Sequence, residues 1–272
     1  MFWSAGFVPP ITSRVPRVVT VHDLTHLHFY SAAHAAYYRA VYRPIFRSVE
    51  RLICVSKYTA DELCEWSGVD PARVQVVYNG VSNRFRPRPS GNPDPGQAPY
   101  ILYAGNSREY KNLRRLIQAF AISRLANDGF FLEFTGAPDR ALHELADSLG
   151  CATKLRFSGR LDDDRLAALY ASAHGIAFVS LYEGFGLPIL EGMASGVPVL
   201  TSNISSMPEI AGNAAILVDP YSTEDIAAGL RRLCLDSGTR THLVKSGLRR
   251  AADFSWDKSA ATTWSIVRAT AT

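Results

Sequence analysis

Two glutamates, Glu183 and Glu191, bracket a short glycine-bearing segment, EGFGLPILE, in a chain of 272 residues. The apolar run Ile176–Val179 precedes it, and a helical pattern opens behind it at Leu187-Pro188. Proline in the first turn of a helix is pre-organised and loses no N–H the helix needs. Gly184 and Gly186 let the backbone approach a ligand closely, and the exposed N–H groups and positive end of the helix suit an anion such as a diphosphate. Glu191 falls about one turn into that helix while Glu183 stays in the loop. The two carboxylates are therefore placed to flank one ligand, each accepting hydrogen bonds from hydroxyls. Two Glu at this spacing are common alone; the strand–loop–helix context carries the weight. A second candidate is His22-Asp23, which closes the apolar run Val18–Val21. Residue types leave His22 open between a buried structural histidine and a site residue, and Asp23 reads as a loop anchor.

The elements that must position these groups alternate regularly. Val18–Val21, Leu52–Val55 and Val74–Val77 read as buried strands, with helical stretches from Ala32 to Glu50 and from Lys57 to Trp66 between them. Ser56 is the expected N-cap of the latter, and Asn79-Gly80 reads as a turn. This β-α-β-α-β order predicts a parallel sheet. Residues 86–99 then carry five prolines and two glycines, which continue neither helix nor central strand and mark a linker. Behind it, strands are predicted at Tyr100–Ala104, Phe130–Thr135, Leu155–Ser158, Ile176–Val179, Val197–Thr201 and Ala215–Val218, with helices between them and a helical pattern from Thr223 onward. Short apolar strands separated by helices predict a doubly wound α/β domain that binds ligands at the carboxyl ends of its strands.

Composition narrows the class. The 20% charged and 11% aromatic fractions belong to a folded globular chain. With roughly 100–200 residues per domain, the length fits one large or two small domains. No apolar run reaches the roughly 18 residues of a membrane span, and MFWSAGFVPPITSRVPR lacks the layout of a signal peptide. The cysteines Cys54, Cys64, Cys151 and Cys234 are widely spaced, form no CxxC pair, and fit reduced thiols in a cytoplasm. His26, His28 and His34 lack a metal-ligand spacing, so no metal is expected. The net charge of +4 mildly favours anionic partners but does not establish nucleic-acid binding. Arg39, Arg43, Arg47 and Arg51 fall four apart, which on an unbroken helix makes one basic stripe. It reads either as a solvated face or as a contact with anionic lipid. No GxGxxG follows a predicted strand, which excludes a Rossmann dehydrogenase.

Glu183 and Glu191 within EGFGLPILE, followed by EGMASGVPV, resemble the E-x7-E signature of family-4 retaining glycosyltransferases. Other segments agree in order: VVTVHDL at 18–24, ICVSKYTADEL at 53–63, VQVVYNGVSNRF at 74–85, YILYAGNSREYKNLRRLIQAF at 100–120 and FSW at 254–256. The resemblance covers nearly the whole chain. It implies an α/β fold of GT-B type with two Rossmann-like lobes. Residues 1–97 would form a shortened, partial acceptor-side lobe with the linker, and 98–272 a nucleotide-sugar-binding lobe with its closing C-terminal helix.

The resemblance also implies roles. Glu191 would hold the donor ribose hydroxyls, and Glu183 would sit beside the transferred sugar. Gly184, Phe185, Gly186 and Leu187 would offer backbone N–H groups to sugar or diphosphate. Lys111 would neutralise the leaving diphosphate, the stabilisation a forming anion needs. Family members often carry an arginine early in that loop; here the stretch is Gly105-Asn106-Ser107-Arg108, with Arg108 as its substitute. His22 would lie near donor sugar and acceptor. The implied activity is that of a hexosyltransferase, with mannose and GDP-mannose favoured and a UDP-sugar as the other option. It would act without cofactor or metal on a glycan or lipid-linked saccharide acceptor in surface polysaccharide biosynthesis. The chain would be cytoplasmic, with a peripheral membrane contact through the arginine face, and would act alone, as an oligomer or with a partner subunit. The competing reading is a catalytically incomplete nucleotide-sugar-binding module, a subunit of a glycosyltransferase complex.

Overall fold

In the computed structural model, which describes residues 1–6, 10, 12–89 and 98–271, the chain folds into two compact units. Unit one comprises Met1–Gly80, Glu183–Phe185 and Phe254–Thr272; unit two comprises Val81–Tyr182 and Gly186–Asp253.

Unit one is built on a parallel sheet in the order β1-β2-β3-β4, with β1 at Phe2–Ser4, β2 at Arg17–Val21, β3 at Arg51–Cys54 and β4 at Val74–Val76. Alternate side chains leave a strand on opposite faces, and both faces are covered. Val19, Val21, Leu52 and Cys54 pack with Phe46, Val49 and Leu63. On the other side Val18 and Ile53 pack with Val77 and with Ile266 and Val267 of the C-terminal helix Trp256–Ala271. The three predicted strands, β2, β3 and β4, lie within a residue of their predicted positions. Strand β1 has only three residues and carries no readable alternation; it pairs Phe2 with Arg17, and Trp3 Nε1 donates to Thr20 Oγ1 at 3.3 Å.

Two expectations for this unit are corrected. The stretch from Ala32 is not one regular helix: a π-turn at Tyr38–Tyr42 separates Ala32–Tyr37 from Arg43–Ser48, and Arg51 lies on β3. A π-turn inserts a residue and rotates the downstream turns about the axis, so Arg39 no longer shares a side with Arg43 and Arg47. Arg43 Nε and Arg47 Nε both donate to the Ser67 carbonyl, at 3.3 and 2.5 Å. They cap the negative end of helix Lys57–Ser67. Arg39, Arg43, Arg47 and Arg51 thus form no continuous stripe. Asn79-Gly80 is not a turn either. A Cβ on Gly80 would fall 2.1 Å from the backbone nitrogen of Trp256, so glycine is there because the C-terminal helix starts against it.

Unit two holds a six-stranded parallel sheet in the order β10-β9-β8-β5-β6-β7. The strands are β5 Tyr100–Tyr103, β6 Phe131–Phe134, β7 Leu155–Phe157, β8 Gly175–Phe178, β9 Val199–Ser202 and β10 Ile216–Val218. All six predicted strands are present, trimmed or shifted by one or two residues. Val197-Pro198 stay outside β9, and the Pro198 carbonyl instead accepts the Ile176 N–H at 2.9 Å. The order runs outward from β5 through β6 and β7 on one side and through β8, β9 and β10 on the other. The direction of winding therefore reverses between β5 and β8, the place where open α/β sheets leave a crevice for ligands. The predicted linker falls largely on residues 90–97, outside the described residues. The helical pattern from Thr223 becomes three helices, Thr223–Leu235, Ser237–Ala252 and Trp256–Ala271, the last within unit one. Among the described residues no helix is long and apolar enough to cross a membrane, and the four cysteines are unpaired.

Candidate active site

The loops leaving β5 and β8 meet at this switch point. The Leu181 N–H donates to the Tyr110 carbonyl at 2.7 Å, joining the two loops directly. Lys111 ends the short 3-10 turn Glu109–Lys111, and its Nζ lies 5.0 Å from the Tyr110 ring centroid and 5.2 Å from that of Phe178, the last residue of β8. The ammonium is thereby held at the carboxyl end of β8 by two aromatic faces. Asn112 behind it adopts φ 62°, in the left-handed region that Asn tolerates better than most residues. Its Nδ2 donates to the Val179 and Pro220 carbonyls at 3.0 and 2.8 Å, and its Oδ1 accepts from Arg115 at 2.8 Å. One buried amide thus staples the loops after β5, β8 and β10 around Lys111.

Helix Leu187–Ala194 starts as predicted, with Gly186 as N-cap at φ 108° and Pro188 in the first turn. A β-carbon would strain that φ, and Gly186 packs closely on Ile189. Glu191 lies in the second turn, half-buried. Burial pushes its carboxyl above the usual carboxylate range, opposed by the Tyr170 hydroxyl. That hydroxyl, on helix Asp163–Ser172, is wholly buried, and burial together with the Glu191 charge holds its phenol well above the ordinary value. The two interact off ideal hydrogen-bond geometry, which leaves the Glu191 oxygens capacity for further donors.

Gly105, Asn106 and Arg108 occupy the exposed loop after β5. The Gly105 N–H donates to Thr135 Oγ1 at 3.0 Å, tying the loop to the end of β6. Asn106 Oδ1 accepts the Arg108 N–H at 3.1 Å, and the Asn106 carbonyl accepts from the Tyr103 hydroxyl. Arg108 lines a cavity of about 540 Å³ with Asn112, Arg115 and Leu181. Gly105 and Asn106 line a neighbouring one of about 490 Å³ that reaches Thr135 and Phe157 at the ends of β6 and β7.

The remaining candidates come together in unit one. His22 directly follows β2, is exposed, and its Nε2 lies 2.8 Å from the Ala5 carbonyl beyond β1. Asp23 Oδ1 accepts the Thr25 N–H at 2.9 Å, so it anchors the loop as expected. Glu183–Phe185 pack in this same unit. A Cβ on Gly184 would stand 1.8 Å from the His22 carbonyl oxygen. The Phe185 ring is buried against Phe254, with centroids 6.0 Å apart, and beside Tyr78. Within one unit the structure therefore joins His22 to Gly184 and Phe185. In the other it joins Lys111, Gly105, Asn106, Arg108, Gly186, Leu187 and Glu191 on one sheet. The other histidines have structural places: His26 stacks on Tyr38 at 3.7 Å, and burial lowers its imidazole to about 4. His28 pairs with Glu62, and His34 Nδ1 lies 2.8 Å from Ser31 Oγ.

Residue spacing did not reveal Asn112 or Tyr170. For Asn112 a signal existed, an Asn immediately before a helical run, the N-cap position that Asn favours. For Tyr170 none did, because its relation to Glu191 is purely tertiary.

A parallel sheet wound in this order, with glycine-bearing loops, an ammonium and a half-buried carboxylate at its switch point, defines a doubly wound α/β protein of the class that takes ligands at such a point. More closely, the chain belongs to the group 1 glycosyltransferases. Residues 88–250 match the model of that family, described as Glycosyl transferases group 1, and residues 1–85 match Glycosyltransferase Family 4. Among relatives, O-antigen chain mannosyltransferase B of Escherichia coli is 29% identical over 254 residues, covering 88% of this chain and 67% of that protein. The MMP alpha-(1->4)-mannosyltransferase of Mycolicibacterium hassiacum is 33% identical over 224 residues, covering 80% and 54%. The chain thus spans two thirds of the first relative's length and about half of the second's. Its fold is GT-B: sucrose-phosphate synthase from Thermosynechococcus elongatus superposes with a TM-score of 0.79 at 23% identity, covering 93% of this chain and 67% of that one. Anabaena HepE, solved in complex with UDP and glucose, gives 0.79 at 19% identity, with 93% and 72% covered.

Proposed function

We propose that the chain is a retaining hexosyltransferase that moves mannose from GDP-mannose to a glycan or lipid-linked saccharide in surface polysaccharide synthesis. The observation that carries this reading is the Lys111 ammonium held at the carboxyl end of β8, where the EGFG loop departs toward Glu191. Lys111 neutralises the leaving diphosphate, Glu191 accepts the ribose hydroxyls, and Glu183 supports charge developing on the transferred sugar. Gly184–Leu187 offer backbone N–H groups, Gly105, Asn106 and Arg108 border the nucleotide, and His22 serves the sugar and acceptor. Same-face attack, with the departing diphosphate taking the acceptor hydroxyl's proton, retains the anomeric configuration. Residues 1–97 form the acceptor side and 98–253 the donor side, with the C-terminal helix Trp256–Ala271 packed into the former. Mannose is supported by relatives named as mannosyltransferases; a UDP-sugar donor has support in the UDP and glucose of the HepE complex.

Thermal unfolding with GDP, UDP, ADP, GDP-mannose and UDP-glucose tests the reading. A ligand at about 100 times its dissociation constant adds roughly 2.7 kcal/mol. A midpoint shift with guanosine nucleotides alone supports it. A shift with uridine nucleotides replaces the donor, and no shift with any of them overturns the donor site. Nucleotide binding without turnover on any acceptor would favour a binding module working with another subunit.

A further inference from the structure

The Gly184 carbonyl accepts two hydrogen bonds, from Ser56 Oγ at 2.7 Å and from Thr59 Oγ1 at 3.0 Å, across 128 and 125 positions of sequence. Both hydroxyl residues are completely buried. Ser56 is the N-cap of helix Lys57–Ser67, and its Oγ also accepts the Thr59 N–H at 3.0 Å. The positive end of this helix is thus occupied by a peptide carbonyl from the EGFG loop, which takes the place an anion often fills at such a terminus. From its other side Gly184 meets the His22 carbonyl, so closely that no β-carbon fits. A trans peptide is planar: once its carbonyl is turned to the helix, the Phe185 N–H is directed the opposite way. The buried Phe185 ring fixes the next residue. The backbone on the carboxyl side of Glu183 is left with one setting.

We propose that Ser56 and Thr59 are positioning residues for the transfer reaction. By holding the Gly184 carbonyl they set the backbone from which the Glu183 carboxylate and the Phe185 N–H project. This rests on the reading of Glu183 as the group beside the transferred sugar. Neither hydroxyl touches substrate in this role, and neither ionises. They act by removing alternative loop conformations, so that Glu183 meets the developing charge without reorganising.

Three variants of the full chain test this: Thr59→Val, which keeps the shape but removes the donor; Thr59→Ser, which restores the hydroxyl; and Glu183→Gln. Amide hydrogen exchange across Tyr182–Leu187 is read without ligand, and kcat and KM are read with GDP-mannose and UDP-glucose. In T59V, exchange across 182–187 accelerates and kcat falls about tenfold while KM stays within about twofold; T59S recovers both. Unchanged exchange in T59V overturns the proposal, as does a rise in KM at constant kcat. E183Q separates the two ideas. If it turns over normally, the reading of Glu183 falls and the proposal with it. If E183Q is inactive and T59V keeps its kcat, the positioning role alone is wrong. In a chain that consumes neither donor, the exchange result decides.

Discussion

Removing the Asn112 side chain should loosen the switch point of unit two by a calculable amount. In Asn112→Ala, the carbonyl of fully buried Val179 loses its amide donor, a cost of about 1–3 kcal/mol for a desolvated acceptor left short. The Pro220 carbonyl keeps Arg115 Nη1 at 3.2 Å, so losing the Asn112 amide there costs only about 0.5–1.5 kcal/mol. Alanine must also hold the left-handed φ of 62°, at about 1–2 kcal/mol. The total is about 2.5–6.5 kcal/mol. Asn112→Gly removes the same amide but relieves the φ; after allowance for its freer unfolded chain it should be more stable than N112A by about 1 kcal/mol. Asn112→Asp keeps shape, φ tolerance and the Arg115 partner, yet aims a carboxylate at two carbonyl oxygens, and should be at least as damaging as N112A. Urea unfolding followed by circular dichroism is the assay, because all four tryptophans, Trp3, Trp66, Trp256 and Trp264, lie in unit one. With m at about 1–3 kcal/mol/M, the N112A midpoint should drop by about 1 M or more. N112A within about 0.5 kcal/mol of the unsubstituted protein, or N112D more stable than N112G, would refute the stapling argument.

Gly184→Ala should disrupt unit one, since its β-carbon meets backbone atoms of His22 at 1.8 and 2.8 Å. Overpacking of that kind costs about 1–3 kcal/mol or more, and tryptophan emission should report a lower unfolding midpoint. Burial raises the Glu191 carboxyl, so nucleotide affinity should start to fall on acidification at a higher pH than an exposed glutamate would give; Glu191→Gln should bind more weakly and lose that dependence, as measured by calorimetric titration from pH 7 downward. The linked stability has the opposite slope. A carboxyl whose folded pKa is raised contributes stability fully present below its unfolded pKa and lost as pH rises through the folded one.

Much of this protein could be read from its residues. Short apolar runs marked nine of the ten strands among the described residues, because strands buried on both faces are nearly continuous in Val, Ile and Leu. The exception, β1, is Phe-Trp-Ser and holds none of the Val, Ile or Leu that marked the others. The helix start at Leu187-Pro188 and the Ser56 cap were legible because their signals are local. The arginine stripe failed for a tertiary reason: the π-turn at Tyr38–Tyr42 and the Ser67 carbonyl redirect it, and neither leaves a mark in residue spacing. Gly80 misled in the same way, its need for glycine arising from Trp256, far along the chain.

Residue type and spacing by themselves determined the elements, the parallel α/β class and the loops that carry Glu183, Glu191 and Lys111, because propensity, capping and periodicity act within a few positions. Only the tertiary structure decided which unit each of those loops belongs to. It set β5 beside β8, so that Lys111 lies over Phe178, and it packed Glu191 against Tyr170. It also seated the Gly184 carbonyl on Ser56 and Thr59. Each of these contacts joins residues whose approach is dictated by sheet order and packing, and no local pattern encodes such an approach.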